Sequence, residues 1–216
     1  MKGTRKKKIV FVCTGNTCRS PMAEAIFRKH IEPFKLSKLE ILSAGLQAPV
    51  GSSMNEKSAQ VLMEKGFPQF PFSAKQVDDK MIKDAFAIVC MTEKQRELLM
   101  EMRWKVLRAA GVEEIENNVY SFSELAGYEV LDPYGKDLDC YRYVYELLAG
   151  GMSALTEKLL PPALREKLIE KPKTPRKTPA KGKTVTKPKK SDSKKTSSRK
   201  TTTGKKKSSS KKSSNA

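Results

Sequence analysis

Lys8-Ile9-Val10-Phe11-Val12-Cys13-Thr14-Gly15-Asn16-Thr17-Cys18-Arg19-Ser20-Pro21-Met22-Ala23-Glu24 runs from an apolar, β-branched segment through a glycine loop into a proline-led helix start. Lys8 to Val12, flanked by charge and then by the loop, reads as a buried strand. Ser20 can cap the following helix, Pro21 suits its first position, and Glu24 lies near its first turn. A loop between a strand and a helix start points several backbone N–H groups into one concavity, and the helix N-terminus adds partial positive charge. Gly15 permits the backbone angles that this needs. Such a nest suits a tetrahedral oxyanion of the phosphate type. Arg19 can clamp two of its oxygens. Cys13 stands at the base of the nest, where the same field favours its thiolate form. A thiolate facing a bound phosphoryl group is poised for in-line attack, giving a phosphocysteine that water hydrolyses. The amides and Arg19 carry the charge, so this chemistry needs no metal and no cofactor.

Outward from this stretch, strands and helices alternate. Leu39 to Leu42 reads as a second strand, followed by the turn Ser43-Ala44-Gly45. Asn55 to Lys65 has Ala59, Leu62 and Met63 at helical spacing, and Gly66 stops it. Ala85 to Met91 is a third strand, and Thr92 caps a helix running to about Arg103. Asn118 to Phe122 is a fourth strand, and a loop with Gly127, Asp132, Pro133 and Gly135 follows. Leu138 to Leu160 is a long helix with a stripe through Tyr141, Val144, Leu147 and Leu148, open to interruption at Gly150-Gly151. This order predicts an α/β fold with a four-stranded parallel sheet and helices on both faces, of flavodoxin-like type. In such sheets the site lies at the carboxyl ends of the strands. Chemistry-bearing residues fall there after the first, second and fourth strands.

Charge divides the chain. Residues 171–216 hold 18 Lys or Arg and one acid, Asp192, so +17 of the chain's net +19 belongs to them. Residues 1–7 form a basic arm, 8–160 the folded domain, 161–170 a helical extension or linker, and 171–216 a Lys/Ser/Thr/Pro-rich tail expected to be disordered. No apolar run reaches membrane-spanning length, and the run behind the basic arm is too short for a secretory signal. The four cysteines, Cys13, Cys18, Cys90 and Cys140, are few and irregularly spaced, which fits a cytoplasmic chain. They offer no zinc-ligand spacing, and the single histidine, His30, makes neither a triad nor a metal site. Cys90 reads as core, and Cys140 has no assigned role.

The spacing Cys13, five residues, Arg19, Ser20, with Pro21-Met22-Ala23-Glu24 behind it, resembles the signature loop of the low-molecular-weight protein phosphatase family. The resemblance covers residues 7–160 and includes Ser43-Ala44-Gly45 and Asp132-Pro133-Tyr134. It implies Cys13 as nucleophile and Arg19 as phosphate clamp, with Thr14, Gly15, Asn16, Thr17, Cys18 and Ser20 completing the phosphate-binding loop. Ser20 is implied to bond the thiolate, Asn16 to brace the loop against Ser43, and Asp132 to act as general acid and then base. Asp-Pro is also a common turn pair, so Asp132 taken alone would be a turn residue. The resemblance further implies a reversible Cys13–Cys18 disulfide as a redox switch.

The substrate rests on Thr17. Cys-Thr-Gly-Asn-Thr-Cys-Arg-Ser resembles the bacterial protein arginine phosphatase group most closely, whereas many tyrosine-specific relatives carry Ile or Leu at this place. A hydroxyl there can bond a guanidinium nitrogen, and Asp132 is implied to contact the same group. Tyr134 suits either substrate as an aromatic wall. Protein phosphoarginine is therefore the preferred substrate, phosphotyrosine the alternative, and arsenate reduction the least supported reading. The tail, without an aromatic residue, is suited to non-specific contact with nucleic acid phosphates or another acidic surface.

Overall fold

The computed structural model describes residues 6–169. The expected tail, and the arm up to residue 5, lie outside them. Four strands, β1 (Lys7–Cys13), β2 (Leu39–Gly45), β3 (Ala87–Cys90) and β4 (Val119–Ser121), pair in the order β2-β1-β3-β4, and every pair is parallel. The helices are α1 (Arg19–Ile31), α2 (Glu56–Glu64), α3 (Asp79–Asp84), α4 (Glu93–Ala109), α5 (Phe122–Ala126), α6 (Leu138–Leu159) and α7 (Pro162–Leu168).

The alternation of side chains along β1 explains the two layers. Ile9, Phe11 and Cys13 pack with Met22 and Phe27 of α1 and Val144 and Leu148 of α6. Val10 and Val12 pack on the other face with Ile82 of α3 and Leu99 of α4. A strand buried on both faces has no polar alternation, which is why residues 9–12 are apolar throughout. Phe11 meets Phe27 edge-on at 5.4 Å, and burying a side chain of that size contributes about 2–3 kcal/mol.

Several boundaries differ from expectation. Helix α1 begins at Arg19, its N-cap is Cys18 without a side-chain capping bond, and Ser20 lies inside the helix. The Ser20 hydroxyl meets the Cys13 sulfur and Ala44 O instead of free amides. Pro21 therefore stands third in the helix, where a missing N–H still removes no intrahelical bond. Helix α4 continues past Arg103 to Ala109, because Val106 and Leu107 prolong its inward face. The fourth strand is shorter than its apolar pattern, since Ser121 and Glu124 form a capping box and Phe122 opens α5. Gly150-Gly151 does not interrupt α6. A Cβ on Gly151 would sit 2.5 Å from the Phe122 ring, so this glycine is the notch that admits α5. Helix α7 docks: Leu168 is buried, its carbonyl accepts the Lys38 N–H at 3.1 Å, and Arg165 lies 4.6 Å over the Phe34 ring. No helix among the described residues is long and apolar enough to cross a membrane.

Candidate active site

The loop between β1 and α1 is held from outside by its carbonyls. Cys13 O accepts from Leu46 N–H at 3.0 Å, Thr14 O from Gln47 at 2.8 Å and Thr17 O from Asn55 at 2.9 Å, whereas Cys18 O accepts from Met22 within the first turn of α1 at 3.4 Å. In a trans peptide the next N–H points opposite to the carbonyl. The amides of Thr14, Gly15, Cys18 and Arg19 therefore turn away from these partners, as an anion nest would require. Gly45 makes the approach of β2 possible, because a Cβ there would lie 2.7 Å from Thr14 O and 2.9 Å from Asn16 N.

Asn16 is the hub of the loop. It is fully buried with φ of 52°, in the left-handed region that asparagine tolerates better than most residues. Its backbone N–H donates to Cys13 Sγ at 3.3 Å, and its Nδ2 donates to Ser20 Oγ at 2.9 Å. Its Oδ1 accepts from Lys75 N–H at 2.8 Å. The expected brace against Ser43 is not its partner. Ser43 Oγ donates instead to Glu24 Oε2 at 2.6 Å, because α1 brings a carboxylate, the stronger acceptor, against that face of β2. Glu24 is held in turn by Arg28 at 2.8 Å.

Cys13 is buried, with Ser20 Oγ 3.0 Å from its sulfur. Ser20 receives the Asn16 amide, so its single proton serves either Cys13 Sγ or Ala44 O, the latter at 3.3 Å. The sulfur is the nearer. Arg19 is only 4% exposed; its guanidinium donates to Val130 O at 3.4 Å and pairs with the Asp132 carboxylate. The other oxygen of Asp132 accepts the Tyr134 N–H at 3.2 Å, so the residue is both a turn former and a carboxylate facing the clamp. Val130 N–H bonds Met91 O at 3.0 Å, fixing this loop to the end of β3.

These groups share a cleft of about 270 Å³ lined by Cys13, Thr14, Gly15, Thr17, Cys18, Arg19, Pro49, Asp132 and Tyr134. Ser43 stands outside it. Pro49 was not legible as a site residue; its loop is braced by Gln76, which accepts from Ala48 N–H at 2.8 Å and donates to Leu46 O at 2.7 Å. A larger cleft of about 1080 Å³ opens beside β2 around Ile31, Leu36, Phe67 and Phe70, and it contains no cysteine. Cys18 Sγ lies 3.6 Å from the buried Tyr141 hydroxyl. Burial first, and then the Cys18 contact, push the Tyr141 phenol up, so it keeps its proton. Cys90 is fully buried in β3, and desolvation pushes its thiol up far from its ordinary range. Cys140 is half-buried in the first turn of α6, outside the cleft. No three His, Cys, Asp or Glu side chains among the described residues converge as metal ligands would. A sulfur beneath an anion nest, with a guanidinium and a carboxylate across the opening, is an arrangement suited to displacement at phosphorus.

The model of the family described as low molecular weight phosphotyrosine protein phosphatase matches residues 8–166. The chain is 34% identical over 143 residues to the low molecular weight protein-tyrosine-phosphatase PtpB of Staphylococcus haemolyticus, covering 65% of this chain and 91% of that protein. It is 31% identical over 152 residues to a protein-arginine-phosphatase of Geobacillus stearothermophilus, covering 70% and 95% respectively. Among solved structures it resembles a serine-for-cysteine variant of the YwlE arginine phosphatase that carries a phosphorylated active-site serine. The TM-score is 0.62 at 26% identity, over 73% of this chain and 99% of that one.

Proposed function

The chain belongs to the low molecular weight phosphotyrosine protein phosphatase family, and from that membership we propose that it dephosphorylates protein phosphoarginine through a phosphocysteine formed on Cys13. It is a cysteine-dependent protein phosphatase. The observation that carries the mechanism is the convergence of Cys13, Arg19 and Asp132 on one cleft.

The phosphoryl group binds in the nest with its oxygens on the loop amides and on Arg19. The Cys13 thiolate attacks phosphorus, an S–P bond forms, and the bond to the substrate nitrogen breaks. Asp132, at the mouth, gives that nitrogen its proton as it leaves. Water then attacks the phosphocysteine while Asp132 takes a proton from it; inorganic phosphate leaves and the thiolate returns, stabilised by Ser20 and the Asn16 amide. Ser43 supports this arrangement indirectly, through Glu24 and α1.

Thr17 and Asp132 both line the cleft, and their oxygens would suit the N–H groups of a guanidinium better than the edge of a phenyl ring. The alternative, phosphotyrosine, is supported by Tyr134, which is 72% exposed at the mouth, and by Pro49 as flat apolar walls. Turnover of phosphoarginine and phosphotyrosine peptides by the wild type and Thr17→Ile separates them. We expect the wild type to favour phosphoarginine and the variant to move toward phosphotyrosine. A wild type that favours phosphotyrosine would exclude the arginine reading and leave the displacement mechanism intact.

Peroxide would oxidise the Cys13 thiolate to the sulfenic acid, releasing hydroxide, and Cys18 would condense with it to a disulfide, releasing water. Cys18 must leave its Tyr141 contact to do so. Equal recovery of Cys18→Ser and wild type after peroxide and reductant would count against this protection.

Residues 171–216 would bind nucleic acid through its phosphates. Deleting them should abolish salt-sensitive DNA retention and leave peptide turnover unchanged. Retention that survives the deletion would remove the tail from this role.

A further inference from the structure

Gln95 lies in the first turn of α4 and is 8% exposed. Its Oε1 accepts the Met91 N–H at 3.1 Å. The Met91 N–H is shared with Val12 O, also at 3.1 Å, and an amide NH₂ turned toward it would set donor against donor, so the oxygen takes this side and the nitrogen faces the other way. The nitrogen faces Thr14, donating to its Oγ1 at 3.1 Å. Gln95 is further held where its own N–H meets Thr92 Oγ1 at 3.4 Å. Met91, its anchor, also holds the acid-bearing loop through Val130.

A threonine hydroxyl has one proton and two lone pairs. With Gln95 occupying a lone pair, the proton of Thr14 cannot be aimed at Gln95. Thr14 is exposed on the wall of the Cys13 cleft, next to the thiol. We infer that Gln95 is a positioning residue that fixes Thr14 as a hydrogen-bond donor to an oxygen of the bound phosphoryl group. The inference rests on the reading of this cleft as the phosphoryl site. It adds a side-chain donor to the backbone amides and Arg19, and it ties that donor to the end of β3.

The test uses para-nitrophenyl phosphate, which is indifferent to the choice between phosphoarginine and phosphotyrosine, and inhibition by inorganic phosphate. The proteins are the full chain, Thr14→Val, Gln95→Leu, Gln95→Glu and the Thr14→Val/Gln95→Leu double variant. A neutral donor to a charged oxygen is lost in each, so KM and the phosphate inhibition constant should each rise about tenfold. The value of kcat should stay within about threefold, because the contact exists before and during reaction alike. Gln95→Glu keeps the size of the side chain but offers only acceptors, so Thr14 turns its proton inward and the loss is the same. The double variant should be no worse than either single one, since both remove one contact.

Melting curves for every variant separate this role from packing: a merely structural glutamine would lower the melting temperature and leave the phosphate inhibition constant unmoved. The inference is overturned if Gln95→Glu binds phosphate within twofold of wild type, or if the two single losses multiply in the double variant. If the wild type itself neither turns over para-nitrophenyl phosphate nor binds phosphate, the phosphoryl reading of the cleft falls, and this inference with it.

Discussion

The two loops that face each other across the cleft are built in opposite ways. The loop after β1 is almost wholly interior: Asn16, Cys18, Arg19 and Ser20 are buried, and three of its carbonyls are bonded by other segments. The loop after α5 is mostly outside. The Asp132 side chain is 51% exposed, and the loop is held by Val130 on Met91, by Arg19, and by Lys57, whose amine bonds Lys136 O. The position of Cys13, the proposed nucleophile, is thus fixed by the interior, whereas the Asp132 carboxylate is placed by Arg19. That guanidinium is also the proposed phosphate clamp, so binding substrate and placing the proposed proton donor would draw on one side chain.

The largest effect is expected at the interior loop. Cys13→Ser should lower turnover by about 10⁴-fold or more, measured on any phosphopeptide the wild type accepts; retained activity would break the displacement mechanism. Across the cleft, Asp132→Asn keeps the turn and removes the proton donor. Its kcat should fall by about 10²–10⁴-fold with phosphate binding kept, and a fall in binding alone would place Asp132 with the clamp instead. Asn16→Ala removes two side-chain hydrogen bonds at a buried hub and keeps the backbone N–H that meets Cys13 Sγ. Chemical denaturation should show a loss of about 2–3 kcal/mol, and an unchanged midpoint would mean that the loop is held without its hub.

A smaller effect separates two buried cysteines on neighbouring strands. Cys13 ends β1 among donors, whereas Cys90 ends β3 in apolar surroundings that push its thiol up. A thiol raised in the folded state contributes stability that is whole below the unfolded value of about 8.5. That contribution is lost as pH climbs above it, because the unfolded chain then binds fewer protons. The slope reaches about 1.4 kcal/mol per pH unit. Denaturation midpoints should therefore fall between pH 9 and 10.5, and Cys90→Ala should flatten the fall. An equal slope in that variant would assign the alkaline loss to other groups, Tyr141 among them.

Much of the sheet was legible because a strand buried on both faces has no polar alternation and stands out beside amphipathic helices. The site was legible where one short stretch carries several functions, as Cys13 to Ser20 does. What escaped depends on distance or on competition. Ser43 was read toward Asn16, but its partner was decided by which carboxylate α1 brings near. Ser20 was read from local pattern as a cap, and only the family resemblance pointed to its contact with the Cys13 sulfur. Pro49 and Gln95 carry no motif, and they come to the loop only because β2 ends and α4 begins beside it. Helices α3 and α5 span 6 and 5 residues, too few for a helical period to declare itself.

The strand order has a consequence in time. β1 comes first in the chain and lies between β2 and β3, and the contacts that shape its loop reach 59, 81 and 111 residues away. Closing such separations is slow compared with winding a helix. On refolding, helical ellipticity should therefore return before phosphatase activity, and the interval between them measures how long the sheet takes to assemble around its central strand. Simultaneous recovery of both signals would mean that the pocket forms together with the helices.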